Sequence, residues 1–386
     1  MGAKGLTGDI KRRARSLGFD LVGVSPAGPL PDGQRYKDWL SMGHAGKMHY
    51  LERRVERRED VRNILPGAKS VITCGLNYNT QAPYSTDCDD SRKGWIARYA
   101  WGDDYHGVMD EKLLSLSDFI RAETSGSVGI MRYSDTGPVL ERAHAKYGGV
   151  GWIGKNTCLI NQETGSWIFL GELITDVELE YDSPAPDRCG TCTRCIDACP
   201  TGALTEPYTL DSRLCISYLT IELKDKIPLD LRDRTGSNIF GCDICQDVCP
   251  WNRKAPVTDE ASFRPRPGLY NPGLGSIASL GPEEFRALFK GSPVKRAKRR
   301  GLLRNVLVAI GNSGDARFVP VVTERLGDEE PLVRIHAAWA LWKLEGKGAL
   351  GPLLGLKESE RDPAVLEELD YILELIDGTG RLEASG

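Results

Sequence analysis

No apolar run of about 18 residues occurs anywhere in this 386-residue chain, which excludes a helix that crosses a bilayer. The start, MGAKGLTGDIKRRARSLGF, carries basic residues but no apolar stretch of the kind a secretory signal needs. Arg12 and Arg13 therefore read as a solvated helix face, and the chain is expected in the cytoplasm, where thiols stay reduced. A phosphate loop ending in Gly-Lys-Ser/Thr is also missing, as is a dinucleotide fingerprint opening a helix after a strand. The glycine-rich GGVGWIGKNTCLI fits neither, and its glycines could instead let backbone approach a bulky flat cofactor. A net charge of -4 argues against a uniformly basic nucleic-acid binder. Hydrophobic and charged contents of 40% and 27% are those of an ordinary globular chain, and 43 glycines with 22 prolines imply many turns.

Cysteine, by contrast, is abundant, with 11 residues, most of them between Cys189 and Cys249. CGTCTRCIDACP is a C-x2-C-x2-C-x3-C-P run, the spacing by which bacterial ferredoxins hold cubic iron-sulfur clusters. Cys215 follows alone, and GCDICQDVCP adds Cys242, Cys245 and Cys249 before a second Cys-Pro. In two-cluster ferredoxins the last cysteine of each run crosses to the other cluster. That rule assigns Cys189, Cys192, Cys195 and Cys249 to one cluster, and Cys199, Cys215, Cys242 and Cys245 to the other. Structural zinc also uses C-x2-C pairs, but it leaves the third cysteine at the same step and the terminal Cys-Pro without a reason. A disulfide framework suits neither the length nor the expected compartment.

The length suggests two or three domains. Leu6, Ile10, Ala14 and Leu17 recur at helical spacing, Gly18 can end that helix, and FDLVGVSP reads as a buried strand. A strand is expected from Ser70 to Tyr78, with Cys74 as a core residue, while Cys88 falls in a polar loop. Leu113, Leu116 and Ile120 give the apolar face of a helix, with His106 at its start as a capping or core residue. The strand VGIMRYS, residues 128–134, delivers Asp135-Thr136-Gly137-Pro138 ahead of a helix carrying Glu141 and Arg142. Asp135 can cap that helix or act as a general acid projecting into a cleft; both readings stand. With SWIFLGELITDVEL as a further strand, the first 180 residues form an α/β or α+β half.

Lys290, Lys295, Arg296, Lys298, Arg299, Arg300 and Arg304 crowd one stretch without an acid among them. Such a run in an acidic protein suggests phosphate partners, and nucleic acid is the preferred reading. Residues 305–344 then show helical segments separated by Gly-Asp turns, the pattern of HEAT-type repeats, and residues 349–377 can complete another helix pair.

The double cysteine module, Ser-Asp135-Thr-Gly-Pro, LPGAKSVI, GWIGKNT, CISYLTIE from Cys215, and GCDICQDVCPWN together resemble the epoxyqueuosine reductase family over essentially the whole chain. The resemblance implies an α+β protein in three parts. These are a catalytic α/β domain at 1–180 that binds cobalamin and is related to reductive dehalogenases, a ferredoxin-type module at 181–265, and HEAT-like helices at 280–386. It implies cobalamin and two 4Fe-4S clusters as cofactors, an external electron donor, and tRNAs decoding Asp, Asn, His and Tyr as partners. Arg58, Asp135, Lys155, Asn156, Leu159, Leu170, Ile216 and Ser217 are then expected around the corrin, with Asp135 as the acid in a desolvated site. Lys295, Arg296, Lys298, Arg299, Arg300 and Arg304 are expected on tRNA. The chain has no Asp-x-His-x-x-Gly motif, since Met109 stands where the glycine belongs, so a histidine-ligated corrinoid is not expected. Ala97 replaces a cysteine of some members, which removes a thiolate on cobalt there. The rival readings are a corrinoid reductase of small organohalides and a zinc-containing RNA-binding protein.

Overall fold

The structure, a computed structural model, describes residues 3–124 and 128–378. The strands in chain order are β1 (Leu21–Pro26), β2 (Ser70–Asn77), β3 (Trp95–Ile96), β4 (Ile130–Tyr133), β5 (Trp152–Ile153), β6 (Leu159–Ile160), β7 (Ile168–Thr175) and β8 (Asn238–Phe240). Packing groups the described residues into two compact units, each discontinuous in sequence. The first runs up to Ala82 and adds Asp104–Arg213 and Ile244–Arg264; the second takes Pro83–Asp103, Leu214–Asp243 and the chain from Pro265 onward. This grouping cuts through the stretch 181–265, and residues 379–386 of the expected C-terminal domain lie outside the described residues.

In the first unit a four-stranded sheet has the order β1-β2-β7-β4, and every neighbouring pair is antiparallel. Of the two expected arrangements, α/β and α+β, the sheet is therefore the α+β one, because none of its neighbouring strands is returned parallel by a helical crossover. β2 is buried along its whole length, as a central strand covered on both faces must be. The helix Tyr105–Glu123 covers one face, where Met109 and Leu113 fill the space above Gly171. Helix Ala3–Ser16 packs beside it through a face that includes the buried Leu6, Ile10 and Ala14. The short helix Glu141–Tyr147 packs on β1, β2 and β7, over the opposite face, where Gly23, Thr73 and Glu172 share one cross-strand row. That face also holds Val71, Val139 and Ile174 in one apolar cluster with Tyr133 against it. Each such side chain stabilises the fold by roughly 1.5–3 kcal/mol.

The hairpin β5–β6 joins the sheet to the cysteine loops: Trp152, Ile160 and Cys249 form a buried cluster, with Cys189 and Trp251 packed on it. Asn252 ties the end of the second cysteine run down, donating to the Gln246 carbonyl at 2.7 Å and accepting from the Ser166 N–H at 2.7 Å. Gly151 and Gly154 owe their identity to this hairpin, because a Cβ would lie 2.3 Å from the Ile160 carbonyl oxygen or 2.4 Å from Ile160 Cδ1. Chain, and not a flat cofactor, occupies that space.

In the second unit β3 and β8 pair in parallel, and the helix Lys298–Ser313 packs against Pro331–Glu345, which packs in turn against Pro363–Asp377. The last helix begins on Asp362, whose carboxylate accepts from the Ala364 and Val365 N–H groups, with proline at the first helical position, the usual chemistry of a helix start. Arg232 and Glu368 form a fully buried pair at 2.6 Å. Helix Leu350–Ser359 and helix Pro363–Asp377 fill the stretch where a further pair was expected.

Candidate functional site

β4 stops at Tyr133, and Ser134, buried, donates its hydroxyl to the Leu170 carbonyl at 2.9 Å. Asp135 then takes φ +59°, a left-handed conformation that few residues other than glycine adopt. Its backbone N–H donates to Glu141 Oε1 at 2.6 Å. The carboxyl is not a helix cap: helix Glu141–Tyr147 has Leu140 at its N-cap and no side-chain bond there. Instead Asp135 Oδ2 lies 3.7 Å from His106 Nε2, and its side chain is 59% exposed. The desolvation expected to keep this acid protonated is therefore absent at Asp135 itself, which is exposed between the buried Ser134 and the buried residues 137–139.

His106 sits in the first turn of Tyr105–Glu123, whose N-cap is Asp104. Its Nδ1 is 2.7 Å from Asp104 Oδ1. That bond, and then the Asp135 carboxylate, outweigh partial burial and raise the imidazole to about 9, so it is a cation at neutral pH with both ring nitrogens carrying protons. A residue expected to cap or fill a core instead places a positive charge between two carboxylates.

Within the same unit Cys189, Cys192, Cys195 and Cys249 line one cavity of about 230 Å³, together with Ile160, Pro250 and Trp251. Among the described residues no three His, Cys, Asp or Glu side chains are arranged to hold a single metal ion. Four cysteines on one cavity, three of them in the C-x2-C-x2-C run, fit a polynuclear cluster. Lys155, Arg188 and Arg194 also line the cavity, and their charge offsets the negative charge of a thiolate-bound cluster. Lys155 Nζ donates to the carbonyls of Gly190 and Cys192 at 2.7 and 3.0 Å, so it braces the loop that carries the first thiols. Asn156 Nδ2 reaches the Cys245 carbonyl at 3.3 Å. Cys199 and Cys245 belong to this unit, whereas Cys215 and Cys242 belong to the second.

Of the residues expected around a corrin, Arg58, Asp135, Lys155, Asn156, Leu159 and Leu170 lie in the first unit, and Ile216 and Ser217 in the second. Leu159 is a core residue beside Ala145 and Val150, with Leu170 against the same cluster. Ile216 is 2% exposed, so neither it nor Leu159 has side-chain surface to offer a ligand, and any contact there is through backbone. Arg142 donates to the Thr157 carbonyl, which joins the segment after Asp135 to the Lys155–Leu159 loop. Arg58 spends one guanidinium nitrogen on the Arg53 carbonyl at 2.6 Å and lies over the Tyr36 ring. Ser134 and Arg142 thus link the Asp135 segment to the Leu170 and Thr157 carbonyls, and Leu170 packs on the cluster of Leu159.

The basic stretch of the second unit is less free than its sequence. Arg304 is fully buried and donates to the carbonyls of Leu219, Leu223 and Asp225 and to Asn305 Oδ1. Burial pushes its guanidinium down to about 9. It is an internal tie and no phosphate ligand. Arg299 is 12% exposed and paired with Asp328 at 2.6 Å, while Arg296 meets Glu222 at 2.6 Å and Arg300 lies 3.8 Å from Glu330. The missing counter-charges come from other elements. Lys290, Lys295, Arg296 and Lys298 remain exposed.

Two acids outside the expected site complete the Asp135 environment. Glu172 is 0% exposed on β7, and Glu141 holds the loop. The sequence signal for Glu172 is an acid inside the apolar run IFLGELIT, where burial without a partner is costly.

Residues 188–252 match a family described as a 4Fe-4S double cluster binding domain, and residues 58–136 match one described as "Epoxyqueuosine reductase QueG, DUF1730". A protein of Xanthomonas campestris pv. campestris named epoxyqueuosine reductase is 41% identical over 335 residues, covering 86% of this chain and 94% of that protein. A crystal structure of epoxyqueuosine reductase with an epoxyqueuosine-modified tRNA-Tyr stem loop superposes with a TM-score of 0.89 at 31% identity, covering 97% of this chain and 99% of that one. The enzyme of Bacillus subtilis, solved with its catalytic aspartate loop swung out of the active site, superposes at 0.87 with 32% identity, covering 96% and 99%.

Proposed function

Because the chain belongs to the epoxyqueuosine reductase family, we infer that it reduces epoxyqueuosine to queuosine at the wobble position of tRNAs decoding Asp, Asn, His and Tyr. Opening the epoxide and releasing its oxygen as water takes two electrons and two protons. Two 4Fe-4S clusters serve as the electron path from an external donor, one of them in the cavity of Cys189, Cys192, Cys195 and Cys249 and the other on Cys199, Cys215, Cys242 and Cys245. Cobalamin would be held by Asp135, Lys155, Asn156 and Leu170 with Arg58 and Ser217, and by the backbone at Leu159 and Ile216, and would supply the strongly reducing centre that the reaction needs.

Asp135 is the proton donor to the departing oxygen. Its carboxyl is exposed on a loop, so a bulky substrate can reach it, and closing substrate over it supplies the desolvation that the free site lacks. His106, cationic and 3.7 Å away, holds the carboxyl toward the site and offsets the charge that appears when the proton leaves. Lys155 has no acid–base part in this reading, since its ammonium is committed to two carbonyls of the cluster loop. Lys290, Lys295, Arg296 and Lys298 are the phosphate contacts, on a helical unit of HEAT-like design. The enzyme works in the cytoplasm; among the described residues no helix is long and apolar enough to cross a membrane.

The observation that carries this reading is the presence, in one compact unit, of a four-cysteine cavity and a carboxyl presented on a left-handed loop. It is tested by anaerobic incubation of the cobalamin-loaded chain with an epoxyqueuosine-bearing anticodon stem loop and a low-potential reductant, followed by mass analysis of the nucleoside. Loss of one oxygen is expected; an unchanged nucleoside with both clusters and cobalt present would overturn it.

A further inference from the structure

Glu172 faces Thr73 of β2 on one side and Tyr133 of β4 on the other in the register of the sheet. Both of its oxygens are buried without a donor, and the Thr73 hydroxyl is buried without a hydrogen-bond partner. The group it faces is the Glu141 carboxyl, whose other role is to accept the Asp135 N–H. Two facing acids hydrogen-bond only if one of them keeps its hydrogen, and two such charges cannot both persist out of water. Burial first, and then the charge of Asp135, raise Glu141 to about 7. Burial and the Glu141 charge hold Glu172 well above the carboxylate range.

Of the charged and titratable groups around the pair, the Arg142 charge alone opposes the rise, and only as the smallest of the causes acting on Glu141. Arg142, on the helix of Glu141, is directed to the Thr157 carbonyl. Cys74 of β2 carries a thiol that burial pushes far up, so it contributes no charge. His144, further along the helix, is bonded to Ser25 of β1 at 2.9 Å and pushed down to about 4 by burial, hence neutral. Asp135 adds a third negative charge on the solvent side, and Tyr133 stands beside Glu172 in the adjoining strand.

We propose that Glu141 is the positioning residue of Asp135: steadied by a proton it shares with Glu172, its carboxyl fixes the left-handed Asp135 N–H and so aims the acid at the substrate. This rests on Asp135 being the proton donor. Losing the shared proton sets two negative charges face to face in the core, so Glu141 withdraws and the loop is released. Because the Glu141 charge raises Glu172 in turn, the pair still holds one proton after Glu141 ionises near 7, and the held loop is lost only at the higher pH at which Glu172 ionises too.

Backbone hydrogen exchange of residues 134–140, corrected for intrinsic rates, reads loop fixation without turnover, and single-turnover reduction in the loaded enzyme reads its consequence. Glu141→Ala is expected to lose protection and single-turnover rate by about tenfold or more with tRNA affinity unchanged. Glu141→Gln keeps an acceptor oxygen in place and should retain both within about threefold. Glu172→Gln donates to Glu141 at every pH, so the decline of protection that the parent protein shows as pH rises above about 7 should disappear. Parent-like protection in Glu141→Ala, or an unchanged pH dependence in Glu172→Gln, would overturn the proposal. A parent protein that never reduces epoxyqueuosine while protection follows the variants as described would sink the catalytic reading alone.

Discussion

Asp135 differs from a helix-capping aspartate through its backbone. A capping carboxylate turns back on the N–H groups of its own helix, whereas here the left-handed turn presents the side chain outward beside His106. Asp135→Asn keeps size and polarity but has no acid proton, so turnover is expected to fall at least about a hundredfold, with iron content and tRNA affinity unchanged; steady-state kinetics and a binding titration check it. The same attention to partners separates the arginines. Arg304 looked like the end of a basic patch, yet its guanidinium satisfies carbonyl oxygens inside the second unit. Asp135 was legible as a candidate because it follows a strand and precedes Gly-Pro. That it is exposed, that Glu141 behind it is half-buried and that Glu172 is fully buried was not, because burial is set by elements distant in sequence.

At the scale of elements, the turn leading into the helix Lys298–Ser313 divides a run of like charges by direction. Lys295 and Lys298 point to solvent, while Arg299 is folded onto Asp328 and the Leu280 carbonyl. Replacing Lys295 and Lys298 together by glutamine is expected to weaken tRNA binding and lower the slope of log affinity against log salt by up to about two. Arg299→Gln should leave that slope alone and lower the urea midpoint instead, since it leaves the buried Asp328 carboxylate to Arg325 alone. Arg334 grips Glu360 with two bonds of 2.7 and 2.8 Å, and this bond pushes the Glu360 carboxyl down to about 2. A depressed acid stabilises the fold above its ordinary range and loses that contribution as pH falls through its folded value. Glu360→Gln is therefore expected to cost about 2 kcal/mol at neutral pH, the difference shrinking between about pH 5 and pH 2 in urea titrations. The helical period, the strand runs and the glycine stop after the first helix were all readable. Strand direction was not: alternation of helices and strands left α/β and α+β both open, and the sheet closes antiparallel through β7.

Over the whole molecule, the two units are stitched from interleaved segments, so the cysteine module is not a bead on a string. Cys189, Cys192 and Cys195 come from one segment of the first unit and Cys249 from another, brought together by the Trp152–Trp251 contact and the Asn252 bonds. If each set of four holds one cluster, the intact protein carries about eight iron per chain and Cys249→Ser about four; anaerobic iron and cobalt analysis after gel filtration checks both values.

Ligand sets of this kind can be read from the chain because a cluster demands thiolates at fixed short steps, and local spacing survives whatever the fold does around it. Family membership was readable for the same reason, carried by contiguous motifs such as GWIGKNT and GCDICQDVCPWN. Folding alone decided which charges are spent and which are offered. Lys155 braces a loop, Arg304 ties carbonyls, and Glu172 meets Glu141 across a helix–sheet interface. Desolvation depends on every atom packed around a group, and the order of residues along a chain does not state that packing.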